Sequence, residues 1–194
     1  MKKQTGSPRE RIVNTASELF YKHGYRATGI NEVIEKSGVA KATFYNHFPT
    51  KDDLCMAYLE GVVEKELNML DGTLSKLKDP KRRFLAVIEW LRPWLVETGF
   101  RGCAFLHAVA EIPDAQNPLR SQGVRLYSGV KKRVEKLCEE LIASDKKKYK
   151  TLDAKKLTED YMLIFAGTIA LAEIYNKEWP VDHGLSTLKR LIGE

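Results

Sequence analysis

Apolar residues recur along this chain at intervals of three and four, the period of a helix, and no stretch alternates apolar with polar between hairpin turn signals. The pattern predicts an all-α protein. Over residues 7–23, Ile12, Val13, Ala16, Leu19 and Phe20 share one face; Ser7 is placed to cap, Pro8 to open the helix and Glu10 to close the cap from three residues on. Gly24 ends it. A short helix is expected over 30–37, with Val33 and Ile34 apolar and Gly38 as C-cap, and another over 41–47, stopped at Phe48-Pro49. Thr50 then caps a long helix from 51 to about 71, with Leu54, Tyr58, Leu59, Val62 and Val63 inward and Asp52 and Asp53 at the positive end of its dipole.

Beyond Gly72 the periodicity is coarser. Pro80 opens a helix carrying Phe84, Val87, Ile88, Leu91, Trp94 and Leu95, with a kink expected at Pro93. A short apolar helix over 103–111 is stopped by Pro113, and Pro118 opens a long one to about 144. Residues 146–150 form a basic loop, Asp153 caps a helix to about 176, and a short helix closes the chain over 185–192. The organisation expected is a small three-helix domain over 1–50 and a larger helical domain over 51–194, joined by the helix from 51 to about 71.

Charge sharpens this division. The net charge is +6, yet residues 1–51 hold nine Lys or Arg against four acids, so +5 of it sits in the first quarter of 194 residues. A basic headpiece on a near-neutral body suits a polyanion partner; a solvated charged face is the alternative. The basic start leads into no apolar stretch, and the apolar run 161–172 falls short of the roughly 20 residues that cross a bilayer. A cytoplasmic protein with no membrane partner is expected. Cys55, Cys103 and Cys138 are odd in number and widely spaced, which fits reduced thiols better than disulfides or a metal knuckle. No nucleotide loop, nucleophile elbow or metalloprotease helix occurs, so neither catalysis nor a cofactor is expected.

Three short helices with a glycine between the second and third form the skeleton of a helix-turn-helix, whose last helix enters the major groove. In that helix Phe44, with Phe48 beyond it, points to the core of Leu19, Phe20, Val33 and Val39. Lys41, Ala42, Thr43, Tyr45, Asn46 and His47 are left outward, and such cations, hydroxyls, amides and imidazoles contact phosphates and base edges.

Residues 8–54 resemble the DNA-binding domain of the TetR (tetracycline repressor) regulators. The resemblance rests on Ala16, Leu19-Phe20, Gly24-Tyr25, Ala27-Thr28, Gly38-Val39, the run from Thr43 to Phe48, and Lys51-Asp52-Asp53-Leu54. It implies a homodimer on a palindromic double-stranded operator, released when a small-molecule inducer binds the C-terminal domain. By the same resemblance Tyr45, His47 and Lys51 hold phosphates with help from Thr28, Lys41, Ala42, Thr43 and Asn46 face base edges, and Asn31 reaches the groove. Ala40 and Ala42 depart from the family, which favours Ser or Thr and Gly there; losing a cap costs about 1 kcal/mol.

In the body, the helix over 161–172 is apolar on nearly all sides and must be covered all round. Ala166, Gly167 and Ala170 permit close approach and, with Val130, Val134 and Leu137, suggest a two-fold four-helix interface; a central helix of the monomer is the alternative. Trp90, Trp94, Phe105, His107, Glu111, Tyr127, Tyr161 and Phe165 supply an apolar ligand pocket with a few polar groups. Cys103, His107 and Glu111 share one helical face, where His107 and Glu111 are expected at the pocket rim or paired; a metal and a thiol sensor are lesser readings. Rival functions are a ligand-independent DNA binder and, further off, a helical carrier or enzyme.

Overall fold

The computed structural model describes residues 6–112 and 114–194, so Lys2 and Lys3 of the basic start and Pro113 lie outside the described residues. Among these there are nine helices and no strand: α1 Pro8–His23, α2 Ile30–Ser37, α3 Lys41–His47, α4 Lys51–Ser75, α5 Pro80–Glu97, α6 Ala104–Glu111, α7 Pro118–Ser144, α8 Ala154–Tyr175 and α9 Trp179–Leu191. The fold is all-α, a helix-turn-helix followed by larger helical structure. α4 runs a turn beyond the expected end, and α9 starts at Trp179, not near 185, because Pro180 sits in its first turn where a missing N–H costs nothing. α5 continues through Pro93 to Glu97.

The helices gather into two compact units, one of residues up to Lys65 together with Ala104–Arg125, the other of Glu66–Cys103 and Leu126–Glu194. The first unit therefore extends past the boundary expected at residue 50. Leu54, Tyr58 and Leu59 of α4 are buried, Tyr58 against Phe20 at 5.8 Å between ring centroids, and Gln122 of α7 donates to the Met56 sulfur. These contacts make the start of α4, α6 and the start of α7 part of the same packed body.

Within that unit α1 packs on α2 and α3. α1 begins with a reciprocal cap, in which the Glu10 amide donates to Ser7 Oγ at 3.3 Å and the Ser7 amide to Glu10 Oε2 at 2.8 Å. Hydrogen bonding from Ser7 lowers the Glu10 pKa. Thr50 and Asp53 build a similar reciprocal cap on α4, and Gly38 closes α2 in the left-handed region.

In the second unit α5, α8 and α9 pack on one another. Gly184 of α9 sits against both neighbours: a Cβ there would lie 2.9 Å from Thr168 Oγ1 and 3.4 Å from Ile88. Phe84 and Tyr161 meet edge-to-face at 5.2 Å, and the buried Tyr161 hydroxyl donates to the Phe84 carbonyl at 2.7 Å. Cys55 and Cys138 are buried thiols, their pKa values pushed up by desolvation to about 12 and about 11. Replacing Tyr161 with Phe removes a buried hydrogen bond without opening a cavity. The expected loss is about 1 kcal/mol, read as a fall of roughly 2–4 °C in thermal midpoint; an unchanged midpoint would contradict this role.

Candidate nucleic-acid interface and internal cavity

α3 carries its amphipathicity in seven residues. Phe44 is fully buried, 6.3 Å from the ring of Phe48 and edge-to-face with Tyr45, and this one side chain fixes which way the helix faces. Lys41, Ala42, Tyr45, Asn46 and His47 are exposed, and Thr43 is half-buried. α3 has no acid in its first turn, and its N-cap Ala40 makes no side-chain cap bond. Asn31, in the first turn of α2, is exposed as well. An ammonium, a phenol, an amide and an imidazole thus share one outward face, a set that contacts phosphates and base edges.

Lys51 is held before any ligand arrives. Its Nζ lies 4.4 Å from the centroid of the Tyr25 ring and donates to the Arg26 carbonyl at 3.4 Å, while the Tyr25 hydroxyl donates to Asp52. Partial burial lowers the Lys51 pKa, opposed by Cys55, Glu111 and Asp52; burial, then the bond to Asp52, raises that of Tyr25. An ammonium seated on a ring and a carbonyl has lost much of its rotamer freedom already. Arg9 belongs to α1, its guanidinium 5.4 Å from the Phe48 centroid. Thr28 is a correction. Its side chain is buried and its hydroxyl donates to the Gly24 carbonyl at 2.8 Å, so it secures the turn and does not reach a phosphate.

Glu111 lies with His107 beside a small space bordered by Tyr25 and Tyr58, apart from the aromatic cavity, and its carboxylate is engaged by backbone. Its Oε1 accepts from the Tyr25 amide at 3.1 Å and its Oε2 from the Arg26 amide at 2.6 Å. The last residue of α6 thereby ties down the turn after α1 through two charge-assisted bonds. Gly24 makes room for it: φ is +92°, and a Cβ there would lie 2.6 Å from Glu111 Oε1. His107, one turn earlier on α6, lies 6.5 Å from the ring of Tyr21 with the planes 28° apart, and Phe105 is buried in this same unit. Among the described residues no three metal-ligating side chains converge, and Glu111 is already spent on the turn. Sequence reading missed the partnership because Gly24 served it only as a helix stop.

The aromatic cavity lies in the other unit. Trp90 and Trp94 stack at 6.1 Å, and Tyr127 meets Phe165 edge-on at 6.2 Å; all four line it. Phe105, His107 and Glu111 do not, and Tyr161 is packed against α5 instead. Glu66 and Cys103 line it unforeseen, Glu66 as the one charged lining residue. Its position one turn before Leu70 on α4 was the available signal. Burial raises the Tyr127 pKa, with Cys103 and Glu66 adding to the effect. The space amounts to about 20 Å³, room for a water-sized body. Cys103 is 3% exposed, whereas a thiol sensor needs an accessible sulfur.

The apolar helix α8 is not covered all round. Tyr161, Phe165, Ile169 and Ala172 are buried, whereas Leu163 and Ile174 are 75% and 72% exposed. Ala166, Gly167 and Ala170 are half-buried beside them. Val130, Val134 and Leu137 are corrected: each is buried within its own unit, α7 turning Lys131, Lys132 and Glu135 outward instead.

Comparison with known proteins meets this geometry at the headpiece. Residues 12–58 match the model of the bacterial regulatory proteins of the tetR family. An HTH-type transcriptional regulator of uncharacterised role from Lactococcus lactis subsp. lactis is 25% identical over 128 residues, 65% of each chain, so the alignment spans less than two thirds of that relative. The crystal structure of a TetR-family transcriptional regulator from Streptomyces coelicolor is 25% identical, with a TM-score of 0.82 over 96% of both chains. A regulator from Saccharomonospora viridis solved in complex with choline shares the fold at 21% identity, with a TM-score of 0.77 over 95% of this chain and 94% of that one. The family model falls on the very helices that turn Phe44 inward and Lys41, Tyr45, Asn46 and His47 outward, so over residues 12–58 the chain is similar to the tetR regulators, and it shares their fold.

Proposed function

We propose that this protein is a cytoplasmic transcription regulator that binds a palindromic operator as a homodimer and is released from it by a small-molecule inducer, so acting as a repressor. The observation that carries DNA binding is the outward face of α3, with a preset Lys51 beside it in sequence. Tyr45, His47 and Lys51 hold phosphates; Lys41, Ala42, Thr43 and Asn46 face base edges, with Asn31 at the groove. The Ala42 methyl suits a thymine methyl. Among the described residues no helix is long and apolar enough to cross a membrane.

Homodimerisation is supported by α8. Leu163, Gly167, Ala170, Leu171 and Ile174 recur at helical spacing on its uncovered face, and Tyr175 and Trp179 extend the exposed apolar surface. A second copy across a two-fold axis would cover it and present two recognition helices to half-sites roughly 34 Å apart.

Release by a ligand is supported by the cavity and by two connections from its lining to the headpiece. α4 carries Glu66 and Leu70 at the cavity and Lys51 in its own first turn. Cys103 lines the cavity and α6 starts at the next residue, ending in Glu111 on the turn under Lys51. A ligand larger than water must part this lining, and such a shift loads both helices. That one relative fold has been solved with choline supports a small-molecule ligand. A ligand-independent DNA binder is the second reading, favoured by the same small volume of about 20 Å³.

Lys51→Ala is expected to weaken binding to every duplex and flatten the salt dependence by about one unit, while Asn46→Ala relaxes preference at particular bases. Anisotropy titrations at several salt concentrations on operator and scrambled duplexes separate the two; identical behaviour of both variants would count against the division of roles. Glu111→Gln keeps the size but sets an amide NH₂ against backbone donors. Operator affinity should fall about tenfold, a loss of ~1.4 kcal/mol, and the loss should reappear in Gly24→Ala; full affinity in both sinks the coupling. Leu163→Glu should give monomers by sedimentation, and a persisting dimer would remove α8 as the interface.

A further inference from the structure

The lining of the internal cavity selects a kind of ligand, an inference that rests on the proposed ligand response. Four aromatic rings border one small space, two indoles in a stack and a phenol set edge-on to a phenyl ring. Each ring offers a negative π face. Among the described lining residues there is no Lys, Arg or His, and the single ionisable acid is Glu66. From the geometry we propose that the cavity takes organic cations, an ammonium or a quaternary nitrogen on an apolar body, the cation meeting Trp90, Trp94 and Tyr127 with Glu66 as counter-charge.

The chemistry discriminates among ligand classes. An anion would face both a carboxylate and the negative faces of the rings, and would leave Glu66 in a worse environment than before. A neutral apolar body would gain contact area but draw no charge attraction from the half-buried carboxylate or from the ring faces. A cation alone improves both, since ring attraction and carboxylate attraction act on the same charge and strengthen as water leaves. A quaternary nitrogen suits this lining better than a hydrogen-bonding ammonium, because apart from Glu66, the Tyr127 hydroxyl and the Cys103 thiol every lining side chain is a hydrocarbon or an indole. The aromatic pairs also supply the mechanical response. Seating a body larger than water between the α5 indoles and the Tyr127–Phe165 pair requires these rings to separate, and α4 and the Cys103 junction to α6 share the same lining.

The test compares phenyltrimethylammonium with tert-butylbenzene, a neutral probe of almost the same shape, and with 4-tert-butylbenzoate, on the full chain. Indole fluorescence and calorimetry report binding, and operator anisotropy reports release. The cation should bind at least tenfold more tightly than the neutral probe, the benzoate should bind weakest, and Glu66→Gln should abolish most of the cation's advantage while leaving the neutral probe's affinity within about twofold. Trp90→Phe, which keeps a ring, should retain binding, and Trp90→Leu should lose it, with circular dichroism checking that each variant is folded. Equal or tighter binding of the neutral probe, or a cation preference untouched in Glu66→Gln, overturns the cation assignment while leaving a ligand-responsive regulator standing. If no probe binds and operator affinity is intact, the ligand reading itself falls with it.

Discussion

A helix of seven residues cannot hold itself in water, since nucleation is unfavourable and isolated helices below roughly 12–15 residues are marginal. α3 exists because Phe44 is buried, and because Phe44 is the side chain buried, Lys41, Tyr45, Asn46 and His47 are turned the other way. The missing side-chain cap at Ala40 makes that dependence stronger, for nothing at the N-terminus of α3 compensates if the anchor loosens. Orientation of the reading face is thus a packing property of the headpiece, and the headpiece in turn includes parts of α4, α6 and α7.

That wider body gives the turn after α1 an unusual amount to do. Gly24, in a backbone region open chiefly to glycine, clears space for Glu111; Glu111 holds the Tyr25 and Arg26 amides; Tyr25 and the Arg26 carbonyl then seat Lys51. A carboxylate on two amides is a stronger tether than a neutral hydrogen bond of the same length, and it is directional. Movement of α6 would therefore strain the turn on which Lys51 is seated.

How much of this was legible in the sequence depended on how local each signal was. Helix starts at Ser7, Pro80, Pro118 and Asp153 were readable because caps and prolines act within one turn, and Phe44 against its neighbours was readable from periodicity alone. The helix-turn-helix resemblance likewise rested on contiguous residues. What failed was tertiary. Thr28 looks like a surface hydroxyl until Gly24 supplies its carbonyl, Val130 and Val134 look like an interface until α7's inward face is known, and Glu111 sits 86 residues from its partner Tyr25. Glu66 joined the cavity because α4 is one continuous helix, a fact that periodicity supplied but whose spatial consequence it could not.

The central claim is that the exposed side of α3 lies against the bases of a duplex. A photoreactive phenylalanine analogue installed at exposed Ala42, irradiated with duplexes selected by the protein from a random library, tests this with the least intervening argument. Covalent attachment confined to symmetric half-site bases, absent when the analogue is moved to exposed Glu60 on α4, is the predicted result. Attachment from Glu60 but not from Ala42 would contradict it, and α3 would then have no claim to be the reading helix.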